Sequence, residues 1–122
     1  MVRYFTIRGE QVPADYSIMT VAQIAQHYGT DVTGLVDVFQ NLNGEVAYLE
    51  AIATIGAYAL NAGAKREATG KTYTVYDMYD YLTEDMSLAS QLIETLFSSV
   101  SGKSVFPTPP ATAEKKKSMR NA

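Results

Sequence analysis

His27 is the single histidine of a 122-residue chain that contains no cysteine. Those two counts exclude histidine-cluster and thiolate metal sites, disulfides and cysteine catalysis. A histidine base needs a nucleophile beside it, and no GxSxG or similar pattern accompanies His27. Its place near the end of a helical segment reads instead as an exposed or capping position, where a positive charge meets the negative end of the helix dipole. Carboxylates come next. Asp77, Asp80 and Glu84 stand at i, i+3 and i+7, one stripe of a helix, with Asp85 following. Carboxylate catalysis needs pKa values driven apart by burial or neighbours. A polar stripe offers neither, so it reads as a solvated acidic face, with protein docking as the functional alternative. Gly63-Ala64-Lys65-Arg66 and Gly70-Lys71-Thr72 pair glycine with cations but lack the GxxxxGK[ST] spacing and the preceding buried strand of a phosphate loop. No HExxH or EF-hand pattern occurs. The expectation is a non-enzyme with no metal and no cofactor.

Tyrosine supplies the remaining chemistry. The chain has nine Tyr against four Phe and no Trp, so Tyr carries most of the aromatic surface. Tyr73, Tyr76, Tyr79 and Tyr81 crowd one short stretch. Tyr76 and Tyr79 are one helical turn apart and share a face. Tyr brings apolar area plus one hydroxyl, which suits interfaces. Tyr73, Tyr76, Tyr79 and Asp80 therefore form a candidate protein-binding surface. The competing reading is core packing with the hydroxyls at the surface.

The segments that carry these residues follow from periodicity. Val2–Ile7 alternates, with Val2, Tyr4 and Thr6 on one side and Arg3, Phe5 and Ile7 on the other, and Gly9-Glu10 follows as a turn. Residues 11–18 return as a second strand in which Pro13 must sit at an edge or bulge. Thr20 is the expected cap of a first helix bearing Val21, Ile24, Ala25 and Tyr28, with Gly29 at its left-handed end. Asp31 or Thr33 caps a second, with Leu35, Val38, Phe39 and Leu42 as its stripe and Asn43-Gly44 as its stop. A third and longest helix runs from Glu45 to Lys65-Arg66. Alanine or glycine at nearly every turn lets neighbours approach closely, so this is the expected central helix, with self-association as an alternative use of its small face. Thr74, with Asp77 three residues on, forms an approximate capping box for a fourth. Val75, Met78, Tyr79 and Leu82 make its inner face. A fifth covers about Ser87 to Ser99. The expected fold is mainly α, about five helices with a short N-terminal β-hairpin. Residues 1–101 form the domain, and 102–122, with Pro107, Pro109 and Pro110, form a flexible tail.

Composition fits a globular chain, 47% hydrophobic and 19% charged. No stretch approaches the ~18–20 uninterrupted apolar residues of a membrane span, and the start lacks a signal-peptide layout. A soluble, intracellular protein without membrane contact is expected. The overall charge of −3 hides a split. Residues 1–110 carry six Lys and Arg against twelve Asp and Glu, a net of −6. The remainder carries Lys115, Lys116, Lys117 and Arg120 against Glu114, a net of +3. Phosphate binding requires clustered cations, so an acidic body disfavours nucleic acid. A helical DNA-binding regulator would use the second and third helices as a helix-turn-helix. The third offers almost no base-reading side chain at its N-terminal end.

The order of segments resembles the short tail assembly chaperone of long-tailed, siphovirus-type bacteriophages. The residues that carry the resemblance are an extended start, a helix ending in Tyr28-Gly29-Thr30-Asp31, an Ala-rich helix ending in Ala59-Leu60-Asn61-Ala62-Gly63-Ala64-Lys65, and a Thr-capped helix opening with Tyr73-Thr74-Val75-Tyr76-Asp77-Met78. It covers about residues 1–100 and contains no chemically specific motif. In many such phages one gene start gives two products by programmed frameshifting near the end of the short protein. Glu114-Lys115-Lys116-Lys117 can be encoded by an adenine run that holds a slippery heptamer, which makes Lys115, Lys116 and Lys117 the candidate frameshift-encoded segment. The resemblance implies an assembly factor in the host bacterial cytoplasm, absent from the mature virion. It would bind the tape measure protein, keep it soluble and promote tail tube polymerisation, with the tail tube protein as a further partner. The main alternative is a small phage structural or head–tail connector protein that stays in the particle.

Overall fold

The computed structural model describes residues 2–101. Two strands, β1 (Val2–Ile7) and β2 (Glu10–Asp15), precede five helices: α1 (Ile18–His27), α2 (Leu35–Gln40), α3 (Gly44–Arg66), α4 (Val75–Glu84) and α5 (Ser87–Ser101). The mainly helical architecture with an N-terminal hairpin matches the expectation. The expected tail, 102–122, lies outside the described residues, and with it Lys115, Lys116 and Lys117.

The hairpin is antiparallel, with Phe5 opposite Val12 and Tyr4 opposite Pro13. Its two-residue turn is Arg8-Gly9, at φ 53° and 80°. Positive φ at both central residues matches the right-handed strand twist. Phe5, Ile7, Val12 and Ala14 are buried on one face. Pro13 lies in a two-stranded sheet, where each strand is an edge and a missing N–H is tolerated.

α3 is the centre, as its composition implies. The hairpin, α1, α4 and α5 all pack on it, and Ala51 to Ala57 is an unbroken buried run. The small residues have two distinct uses. A Cβ at Gly56 would lie 2.5 Å from Met78 Cε and 3.1 Å from Leu92 Cδ1, so α4 and α5 close over that turn. At Gly63 the neighbour is the backbone of β2, with Ala14 N 2.7 Å from the Cβ position. The small face is thus buried within the chain. By contrast the first turns of α3 project, leaving Val46 81% exposed.

Of three boundaries, the Asp31 start is as expected and the Thr20 cap and the Asn43-Gly44 stop are not. Thr20 does not cap α1. Asp15 Oδ1 accepts the Ser17 N–H at 3.1 Å, and the Ser17 carbonyl accepts the Val21 N–H at 3.0 Å, so the helix opens at Ser17 and Thr20 is buried in its first turn. Asp31 accepts from Gly34 N at 2.9 Å and from Thr33 Oγ1 at 2.7 Å, starting a 3-10 turn that runs into α2. Asn43-Gly44 does not stop α2, which ends at Gln40, but opens α3 with Gly44 at φ +89°. The Thr74–Asp77 capping box is present in both directions.

Candidate functional site

The loop before α4 is held from inside the domain. Asn61, on α3, donates from Nδ2 to Tyr73 O at 2.8 Å and accepts the Tyr73 N–H through Oδ1 at 2.7 Å. One side-chain amide thus satisfies both backbone groups of the residue next to the Thr74 cap. That fixes where α4 starts, and so which residues its next two turns present.

The four tyrosines divide into two pairs. The Tyr73 and Tyr81 rings meet edge to face at 6.5 Å. The Arg8 guanidinium lies 5.0 Å from the Tyr81 ring centre and bonds Glu84 through Nη2 at 2.7 Å and Nε at 2.9 Å. This pair fastens the hairpin turn to α4. Tyr76 and Tyr79 form the other pair, 6.1 Å apart and edge to face. Tyr76 is 78% exposed and Tyr79 is half-buried against the core. Of the candidate surface, then, Tyr76 and Tyr79 stand together, Tyr73 is turned toward the hairpin side, and Asp80 is exposed between them.

Tyr76 and Tyr79 line an open groove of about 380 Å³. Its other walls are Val75, the α1 end at His27 and Tyr28, and Glu50 and Thr54 of α3. His27 and Tyr28 stack edge to face at 4.9 Å. Tyr28 also meets Phe39 at 5.5 Å, and Phe39 meets Phe97 of α5 at 6.0 Å. Burial raises the Tyr79 hydroxyl above its ordinary value, and the Glu50 carboxylate and Tyr76 push the same way. Burial likewise raises Tyr28. Both stay neutral hydrogen-bonding phenols at physiological pH, beside the Glu50 carboxylate. Aromatic faces with a carboxylate at the edge favour an apolar or proline-bearing segment that also carries cations.

The acidic stripe of α4 is only partly a solvated face. Asp77 completes the cap, Glu84 pairs with Arg8, and Asp85 Oδ1 accepts from Ser87 N at 3.1 Å and Ser87 Oγ at 2.6 Å at the start of α5. His27, Tyr28, Glu50 and Thr54 were not part of the sequence-level surface. The packing of α1 and α4 on α3 brings them beside Tyr76.

A hollow of about 740 Å³ lies between the end of β2, α1 and α3. Asp15 lines it, 3% exposed, with Arg66 Nε 2.9 Å from Oδ2. That carboxylate is used in joining hairpin, α1 and α3. Among the described residues no cluster of His, Cys, Asp and Glu could hold a metal ion, and no helix is long and apolar enough to cross a membrane. Comparison with models of known protein families gives no match, and neither does comparison with curated proteins or with solved structures.

Proposed function

We propose that this chain is a non-enzymatic protein-binding module, one whose work is to cover apolar segments of a partner. More particularly, we propose a bacteriophage tail assembly chaperone acting in the host cytoplasm and absent from the finished virion. Its client would be the tape measure protein, held soluble until tail tube subunits add. The sequence resemblance supports this reading. The observation that carries it is the pairing of Tyr76, 78% exposed, with Tyr79 over an open groove on an acidic helical body. Long helical clients with bare apolar stripes aggregate unless covered. Tyr contacts supply affinity, the acidic body supplies solubility and on-rate, and many weak copies along one client supply avidity. Self-association along the client would use the projecting start of α3, where Val46 and Tyr48 are 81% and 43% exposed.

The test is co-expression with the tape measure protein of the same phage. The chain is expected to move that protein from the pellet to the soluble fraction and to co-purify with it. A client that stays insoluble, or that is soluble alone, overturns the proposal. Recovery of the chain in intact particles at stoichiometric amount would favour the connector alternative instead.

A further inference from the structure

We propose that the groove between α1, α3 and α4 is a docking site for a proline-rich basic segment, and that its occupant is the chain's own Pro107–Pro110 segment.

Three observations meet here. The first is the lining. Tyr28, Tyr76, Tyr79 and His27 present ring faces and edges around Val75. Aromatic-lined grooves are the common receptors for proline-rich segments, because the rings pack against pyrrolidines and the polyproline form loses little entropy on docking. The segment Pro107-Thr108-Pro109-Pro110 is the one proline cluster of the sequence.

The second is charge. Residues 1–110 have a net charge of −6 and the following residues +3, with Lys115, Lys116 and Lys117 starting five positions after Pro110. Glu50 stands in the groove wall, and Asp77 and Asp80 lie on the same helix as Tyr76 and Tyr79. Five residues in polyproline form extend roughly 15 Å. A segment seated on the tyrosines thus sets its lysines against an acidic body, where opposite charges attract at low salt.

The third is reach. Phe97, in the last turns of α5, is joined to the groove wall by two ring contacts, to Phe39 at 6.0 Å and on to Tyr28 at 5.5 Å. α5 ends at Ser101, one helical turn further on. Five residues lie between Ser101 and Pro107, and the six Cα–Cα steps span up to roughly 20 Å. A tether this short gives its segment a high effective concentration at nearby surfaces. This inference does not depend on the client: its test needs none, and a client that uses the same groove would displace the segment.

The experiment compares amide spectra of the full chain and of the Pro107→Ser, Pro109→Ser, Pro110→Ser variant, whose changes lie outside the described residues. Shifts confined to His27, Tyr28, Thr54, Tyr76 and Tyr79 are expected, together with nuclear Overhauser contacts from proline Hδ protons to the Tyr76 and Tyr79 rings. Tyr76→Ala should remove those contacts, and raised salt should weaken them. Unchanged groove amides with no ring contact to proline overturn the proposal. A mixed sample of labelled and unlabelled chains locates the donor. Contacts seen only between different molecules would mean that a second copy supplies the segment, and that would overturn the intrachain assignment.

Discussion

The Pro13 carbonyl occupies the space that a side chain on Gly63 would need. A Cβ there would also lie 2.5 Å from the Pro13 carbonyl carbon and 2.7 Å from Ala14 N. Strand β2 lies against α3 backbone to backbone, and a strand paired on one side cannot slide without breaking its register to β1. Gly63→Ala should therefore destabilise the fold by about 1–3 kcal/mol or more. Gly56→Ala should cost less, because the atom closest to its Cβ is the flexible end of Met78. Thermal melts of the two variants give the order; a Gly63→Ala midpoint equal to that of the unaltered chain would refute the close approach.

Asn61 makes a second prediction. Removing its amide leaves the Tyr73 N–H and C=O, both half-buried, without that partner. An unsatisfied buried group costs about 1–3 kcal/mol. Asn61→Ala is expected to lower stability by that order and to speed hydrogen exchange at Tyr73 selectively. Asn61→Asp keeps the acceptor and should protect the Tyr73 amide better than alanine does. Equal exchange in all three chains would count against the clamp.

The buried carboxylate predicts a pH dependence. Burial pushes Asp15 up, but the hydrogen bond and charge of Arg66 help hold it below its ordinary value of 3.8. A folded-state pKa below the unfolded one contributes stability that is present above the unfolded value and is lost as pH falls through the folded one. Asp31, held down by Thr33 and Gly34, and Glu84, held down by Arg8, act in the same direction. Urea midpoints should fall as pH drops from about 5 to about 3. Asp15→Asn should be less stable at neutral pH and show a shallower fall, with the remaining slope due to the other two. An unchanged slope would show that Asp15 is not a source of it.

What the sequence disclosed was local. The Thr74–Asp77 box, the Gly29 end of α1 and the Asp31 start are decided by bonds within three or four residues, and each is present. The central helix was legible from its small residues, but not what would lie against each of them. Gly63 meets a strand and Gly56 meets two helices, and nothing in the spacing separates those cases. Thr20 failed as a cap because the helix opens three residues earlier, where the Ser17 carbonyl already accepts the Val21 N–H. The tyrosine surface was half legible. Helical spacing put Tyr76 beside Tyr79. The partition of Tyr73 toward the hairpin, and the arrival of Tyr28 and Glu50 in the groove, depend on contacts between residues far apart in sequence.

Tyr76 yields the sharpest test of function. At 78% exposure it contributes little to the core, so Tyr76→Ala should leave helicity and melting midpoint nearly unchanged, within about 0.5 kcal/mol. Tyr79 packs against the core cluster, and its removal should cost more. A Tyr side chain at the centre of an interface carries about 2 kcal/mol or more of binding on truncation. Tyr76→Ala alone should thus weaken client capture by well over tenfold without loss of fold, and Tyr79→Ala should weaken both. Circular dichroism and pull-down on the same preparations separate the outcomes. Intact helicity with lost capture supports the groove as the contact. Intact helicity with full capture places the contact elsewhere on the body. A Tyr76→Ala chain that unfolds would show that the ring is structural, contrary to its exposure.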